Sequence, residues 1–153
     1  MIYNVHTESA LNKINDQVQK LNEAIKFIDI DSIKSQFGDK VICTVDMNGS
    51  IGTRPSLEIK FDIYNFRFYF RYNFANKKNK KNKLYLSGFY CPYLYNKTVG
   101  SPNFSEFKKN ITREDMLYLV DCFKDIKTTS DYEMANKKIL SYNKTKQFEK
   151  DFK

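Results

Sequence analysis

One histidine, three cysteines, three prolines and five glycines are spread over 153 residues. With a lone His6 there is no paired-histidine metal site and no histidine triad with a partner nearby in sequence. Cys43, Cys91 and Cys122 are odd in number, widely spaced and set in apolar runs, with no Cys-x-x-Cys pair. That spacing argues against a disulfide framework, a zinc site and a dithiol redox centre, and predicts buried free thiols. Neither a Walker A loop nor a GxGxxG fingerprint is present. No apolar run approaches the ~18–20 residues that cross a bilayer, so no membrane partner is expected. The opening MIYNVHTESALNK has no basic-then-apolar leader pattern, and with the free thiols it predicts a cytoplasmic protein.

What is present is charge and aromatic surface. Aromatic residues make up 16% and charged residues 29%, and the formal net charge is +8. Lysine outnumbers arginine 22 to 4 and there are 15 asparagines, a bias toward residues with A/T-rich codons that makes the lysine count itself weak evidence of binding. The placement of charge says more. Residues 1–75 carry nine basic and nine acidic groups, and residues 111–153 nine and eight, whereas residues 76–110 carry eight against Glu106 alone. A positive field that localised steers an anionic partner toward one stretch of chain.

Hydrophobic periodicity predicts one α+β domain over residues 1–153, long enough to bury about 68–70% of its extended surface. Leu11, Ile14, Val18, Leu21, Ile25 and Ile28 recur at alternating spacings of three and four, which predicts an amphipathic helix over 8–28 packed on its own sheet. A short helix near 32–37 follows, capped by Asp31 and stopped by Gly38, so that 8–37 is helical. From Lys40 the period falls to two, and 40–95 reads as an antiparallel meander of about four strands. After Tyr64-Asn65 the apolar parity flips, which calls for a tight turn or a bulge there, the turn being favoured. Residues 64–95 then form a long aromatic and basic hairpin whose tip is Lys-rich, with a last strand over 84–95 broken by Gly88 and Pro92. Thr112 caps a helix, and Ser130-x-x-Glu133 is a capping-box pattern for another, giving a helical 112–150. Both C-terminal helices should pack on one sheet face.

Two constellations carry candidate chemistry. If Phe66, Phe68, Phe70 and Tyr72 face the core, Arg67, Tyr69, Arg71 and Tyr85 share the open face. There they can stack bases, while Lys77, Lys78, Lys80, Lys81 and Lys83 at the tip meet phosphates. A solvated loop that shields a sheet edge is the competing explanation of the same lysines. The second constellation is Asp46 at the end of one strand and Glu58-Ile59-Lys60 at the start of the next. It resembles the carboxylate and (D/E)xK elements of the PD-(D/E)xK nuclease family. The resemblance implies two carboxylates holding a divalent metal and a lysine orienting water, and alternation along an amphipathic strand yields the same triplet.

The expectation is therefore a non-enzymatic binding protein, without cofactor or resident metal. It engages nucleic acid or a nucleoprotein, and fits an accessory protein of a phage or mobile element. An inhibitor docking in an acidic or nucleic-acid-binding groove of another protein is the alternative, and the metal-dependent nuclease a lesser one. The chain is expected to be a monomer or weak homodimer.

Overall fold

A computed structural model describes residues 3–50, 54–76, 78, 80–92 and 102–152. The heptad-like apolar spacing produces helix α1, Tyr3–Ile28. It ends at Asp29, whose left-handed φ of 52° reverses the chain, and whose carboxylate accepts the Ser32 N–H at 3.3 Å. Aspartate tolerates that conformation better than most residues, so α2, Ile30–Phe37, is capped by Asp29 rather than by Asp31. Gly38, at φ 60°, stops it as predicted, and a single 3₁₀ turn over Gly38–Lys40 feeds the sheet.

Four strands follow: β1 Val41–Asn48, β2 Ser56–Ile63, β3 Phe66–Asn73 and β4 Lys83–Tyr90. They form an antiparallel meander in the order β1-β2-β3-β4. The parity flip is indeed a two-residue turn, since Ile63 pairs with Phe66 across Tyr64-Asn65. Gly88 does not break β4. The register shifts opposite Tyr69 and Phe70, leaving Ser87 as the extra residue of a bulge that returns Phe89 to the core face beside Phe68. The strand ends at Tyr90, and Tyr93–Tyr95 of the predicted strand lie outside the described residues.

Helices α3, Arg113–Phe123, and α4, Thr129–Asp151, complete the element order. Thr112 caps α3 reciprocally with Asp115, as its sequence predicts. At α4 the reciprocal pair is Thr128 with Asp131, two residues ahead of Ser130 and Glu133. Both quartets satisfy the same pattern, but Asp131 also accepts the Lys127 N–H at 3.0 Å, satisfying the incoming backbone.

The core lies on one sheet face. Ile59, Phe61, Phe68 and Phe70 are fully buried there, together with Ile28 and Ile33 from the first helices and Met116, Phe123 and Tyr132 from the last two. Phe68 and Phe123 meet edge to face at 5.2 Å, with Phe66, Phe89 and Phe104 around them. Arg113 donates to the Ile28 carbonyl at 2.9 Å, tying the start of α3 to the carbonyl end of α1. Among the described residues no helix is long and apolar enough to cross a membrane.

Candidate nucleic-acid interface

In an up-and-down meander the β1–β2 and β3–β4 loops emerge at the same end of the sheet. Arg54 and Pro55 close the first loop, and Phe74, Ala75, Asn76, Lys78 and residues 80–82 are the described residues of the second. The second is internally organised: the Ala75 N–H donates to the Asn82 side chain, and the Lys78 N–H to that of Asn76, both at 2.8 Å. Asparagine side chains thereby stand in for backbone turn bonds.

The N-terminal half of α1 passes over this end, and the three segments enclose a cleft of about 650 Å³. Lys13, Asp16, Gln17 and Lys20 come from α1, Arg54 and Pro55 from the first loop, and Phe74, Ala75, Asn76 and Lys80 from the second. A second cavity of about 200 Å³ shares Arg54, Pro55, Phe74 and Asn76, and adds Asn73, Lys81 and Lys83. Around both cavities Lys13, Lys20, Arg54, Lys80, Lys81 and Lys83 meet a single carboxylate, Asp16, which pairs with Lys20 at 3.2 Å. Among the described residues no carboxylate pairs with Lys13, Arg54, Lys80, Lys81 or Lys83. The floor is apolar, with Pro55 buried and the half-buried Phe74 ring edge to face with Tyr72 at 5.7 Å. Cations around an aromatic floor can hold phosphates while a base stacks beneath them.

The open sheet face is different. The register sets Asp46, Glu58, Arg71 and Tyr85 in one row across the four strands, and Thr44, Lys60, Tyr69 and Gly88 in the next. Arg67, Tyr69, Arg71 and Tyr85 therefore share that face, but both arginines face carboxylates of the same sheet. Arg67 bonds Asp62 at 3.1 Å, and Arg71 lies 3.9 Å from Glu58. The Tyr69 ring is laid over Gly88, where an added Cβ would sit 3.4 Å from its Cδ2. Lys83 links the two regions, since it lines the smaller cavity and holds its ammonium 4.7 Å from the centre of the Tyr85 ring. Lys77 lies outside the described residues, as does the side chain of His6.

The triplet Asp46, Glu58 and Lys60 also meets on the open face, with Asp46 directly opposite Glu58. Glu58 turns to Arg71, and Lys60 pairs with Asp62 at 3.3 Å. Among the described residues no three His, Cys, Asp or Glu side chains are grouped so as to hold a metal ion. Cys43 and Cys122 carry no activation either: burial pushes the Cys43 thiol up to about 11 and also raises that of Cys122.

Arg54, Lys13, Lys20 and Phe74 were not singled out by sequence reasoning. The usable signal was topological, because the meander order alone sends the loop bearing Arg54 to the same end as the lysine tip. Comparison with family models, curated proteins and solved structures finds no match.

Proposed function

We propose that this protein binds single-stranded nucleic acid in the cationic cleft between α1, the β1–β2 loop and the β3–β4 loop. The observation that carries the reading is the convergence of six cations, against one already paired carboxylate, around the Pro55 and Phe74 floor. Lysines on a merely solvated loop need not converge with an arginine from another loop or with a helix. The Phe74 ring in the cleft favours an unpaired strand, whose bases are free to stack, over a duplex. A strand leaving it past Lys83 reaches the Tyr85 ring and the open face, where the paired arginines contribute less than the cleft.

Fluorescence anisotropy with labelled single-stranded DNA, RNA and duplex at two salt concentrations tests this. The variant Arg54→Ser/Lys80→Ser/Lys81→Ser/Lys83→Ser should lose roughly tenfold or more in affinity and flatten the salt slope. Phe74→Ala should cost about 1–3 kcal/mol of binding through the lost stack. Affinity unchanged in both variants would return the lysines to the role of a solvated tip. A wild type that ignores every nucleic acid would point to an acidic protein groove as the partner.

A further inference from the structure

Lys13, Asp16, Gln17 and Lys20 recur at helical spacings of three and four, so they form one face of α1, the face that lines the larger cleft. Each of the three segments walling that cleft supplies a cation, which suits phosphates, and Asp16 is the one carboxylate among its described lining residues. A carboxylate there repels a phosphate, so a site for phosphates alone would bind more tightly with a neutral side chain at this position. Its helix partner engages only half of it. Lys20 pairs with Oδ2 at 3.2 Å, and among the described residues nothing bonds Oδ1. At 61% exposure the Asp16 side chain is open to a ligand in the cleft.

The same cleft holds Phe74, and a base stacked on an aromatic ring presents its Watson–Crick edge sideways to the walls. An ionised carboxylate only accepts hydrogen bonds, and it offers two oxygens side by side. Guanine alone matches that pattern, because its N1–H and N2 amine are adjacent donors. Adenine and cytosine set an amine beside a ring nitrogen that accepts, and thymine and uracil flank a single N3–H with two carbonyls. In those four bases the second carboxylate oxygen would face an acceptor.

We propose that Asp16 makes the cleft selective for guanine in a single strand. The strand lays its phosphates on Lys13, Arg54 and Lys80, stacks one base on Phe74 and donates the N1–H and N2–H of that guanine to Asp16, which Lys20 steadies through Oδ2. This selectivity rests on the cleft being the nucleic-acid site, as proposed above.

Fluorescence anisotropy with a labelled thymidine strand of about twelve nucleotides, carrying adenine, guanine or inosine at one central position, reads the selectivity directly. The guanine strand should bind roughly tenfold more tightly than the adenine strand, which stacks as well. Inosine keeps N1–H and lacks the N2 amine, so its strand should fall between the two. Asp16→Asn exchanges one acceptor for a donor and removes the charge. It should bind the adenine strand more tightly than the wild type does, and its preference for guanine should vanish or turn to adenine. Circular dichroism should show equal helix content in the two proteins, since Asp16 is exposed. Equal binding of all three strands by the wild type, or a guanine preference that survives Asp16→Asn, would overturn the selectivity and leave the cleft as a phosphate and stacking site. A preference for RNA over DNA regardless of base would give Asp16 a ribose 2′-hydroxyl instead and overturn it too. A wild type that binds no strand would overturn the cleft as the nucleic-acid site and the selectivity with it.

Discussion

The two ends of the sheet are built to different specifications. At the end bearing the β2–β3 turn, Phe66, Phe68, Phe89, Phe104 and Phe123 interlock under α3 and α4, with neighbouring centroids 4.8–6.3 Å apart. At the start of α3, just after the segment that bonds Leu84, Asp115, itself buried, accepts hydrogen bonds from the Tyr142 hydroxyl, the Lys146 ammonium and the Thr112 N–H. At the other end, Leu11 and Val18 of α1 are exposed and five of the six cations around the cleft have no described carboxylate partner. Cohesion is concentrated where charges are satisfied, and unsatisfied charge is concentrated where little packing depends on it. That division leaves one end free to tolerate change while the other holds the chain folded.

The division breaks first, if it is wrong, at Phe123. Its ring is fully buried and contacts Phe66, Phe68, Phe89, Phe104 and Tyr132. Phe123→Ala should cost about 3–5 kcal/mol in urea unfolding, because the cavity opens in a site with no room to collapse. Nucleic-acid affinity per folded molecule should be unchanged.

Asp115, at the opposite end of α3 from Phe123, tests the packing of α3 and α4 through charge. Burial pushes its carboxyl upward, but hydrogen bonds from Lys146, Tyr142 and Thr112 outweigh burial and hold it below the usual carboxylate range. Because its folded value is depressed, its contribution is present above the unfolded value of about 4 and is lost as pH falls through the folded value. Asp115→Ala should therefore lose about 1.5–3 kcal/mol at neutral pH, and the gap to wild type should shrink as the solution is acidified below about pH 4. A gap independent of pH would mean that the residue acts as the α3 cap alone.

Much of this was legible in the chain because period and parity survive folding. The alternation through Phe66–Tyr72 placed the aromatic face inward and Arg67, Tyr69 and Arg71 outward, and the flip at Tyr64 called for a tight turn or a bulge, of which the turn is there. What stayed hidden depended on geometry between distant segments. Asp29 and Thr128 won the caps over Asp31 and Ser130 because backbone direction at the helix entries, invisible in a four-residue pattern, decided them. The Ser87 bulge was hidden for a related reason, since Gly88 looks like a strand breaker until Tyr69 is seen lying across it. At the site, the lysine tip could be read from charge, but its company could not. Arg54 and the α1 lysines join it only through the shared sheet end and the path of the helix.

Between the two ends, Tyr69 is the intermediate case. Its half-buried ring covers Gly88 on the open face, so Tyr69→Ala should cost about 1 kcal/mol, as expected for partial burial of an aromatic side chain. Thermal or urea unfolding measures it. A core-sized loss would mean that something not yet assigned covers the open face, and that Arg67 and Arg71 are structural rather than accessible.

The smallest effect is expected in α1, where one apolar stripe divides between the two regimes. Leu11, Val18 and Ile25 are 51%, 37% and 45% exposed, while Leu21, Ala24 and Ile28, further round the helix and toward its end, are buried. The predicted seam thus packs on the sheet only in its C-terminal half, where Phe27 also meets Tyr72 at 5.6 Å. Leu11→Ala and Val18→Ala should shift stability by no more than about 0.5 kcal/mol, since exposed side chains lose little transfer energy and alanine favours the helix. Leu21→Ala, on the same helix and of the same chemistry as Leu11→Ala, should lose about 2–5 kcal/mol. That contrast isolates burial from helix propensity, because propensity predicts equal effects at Leu11 and Leu21. Equal losses at the two positions, measured by urea unfolding at matched protein concentration, would show that the first turns of α1 are packed in solution and that the cationic cleft is covered rather than open.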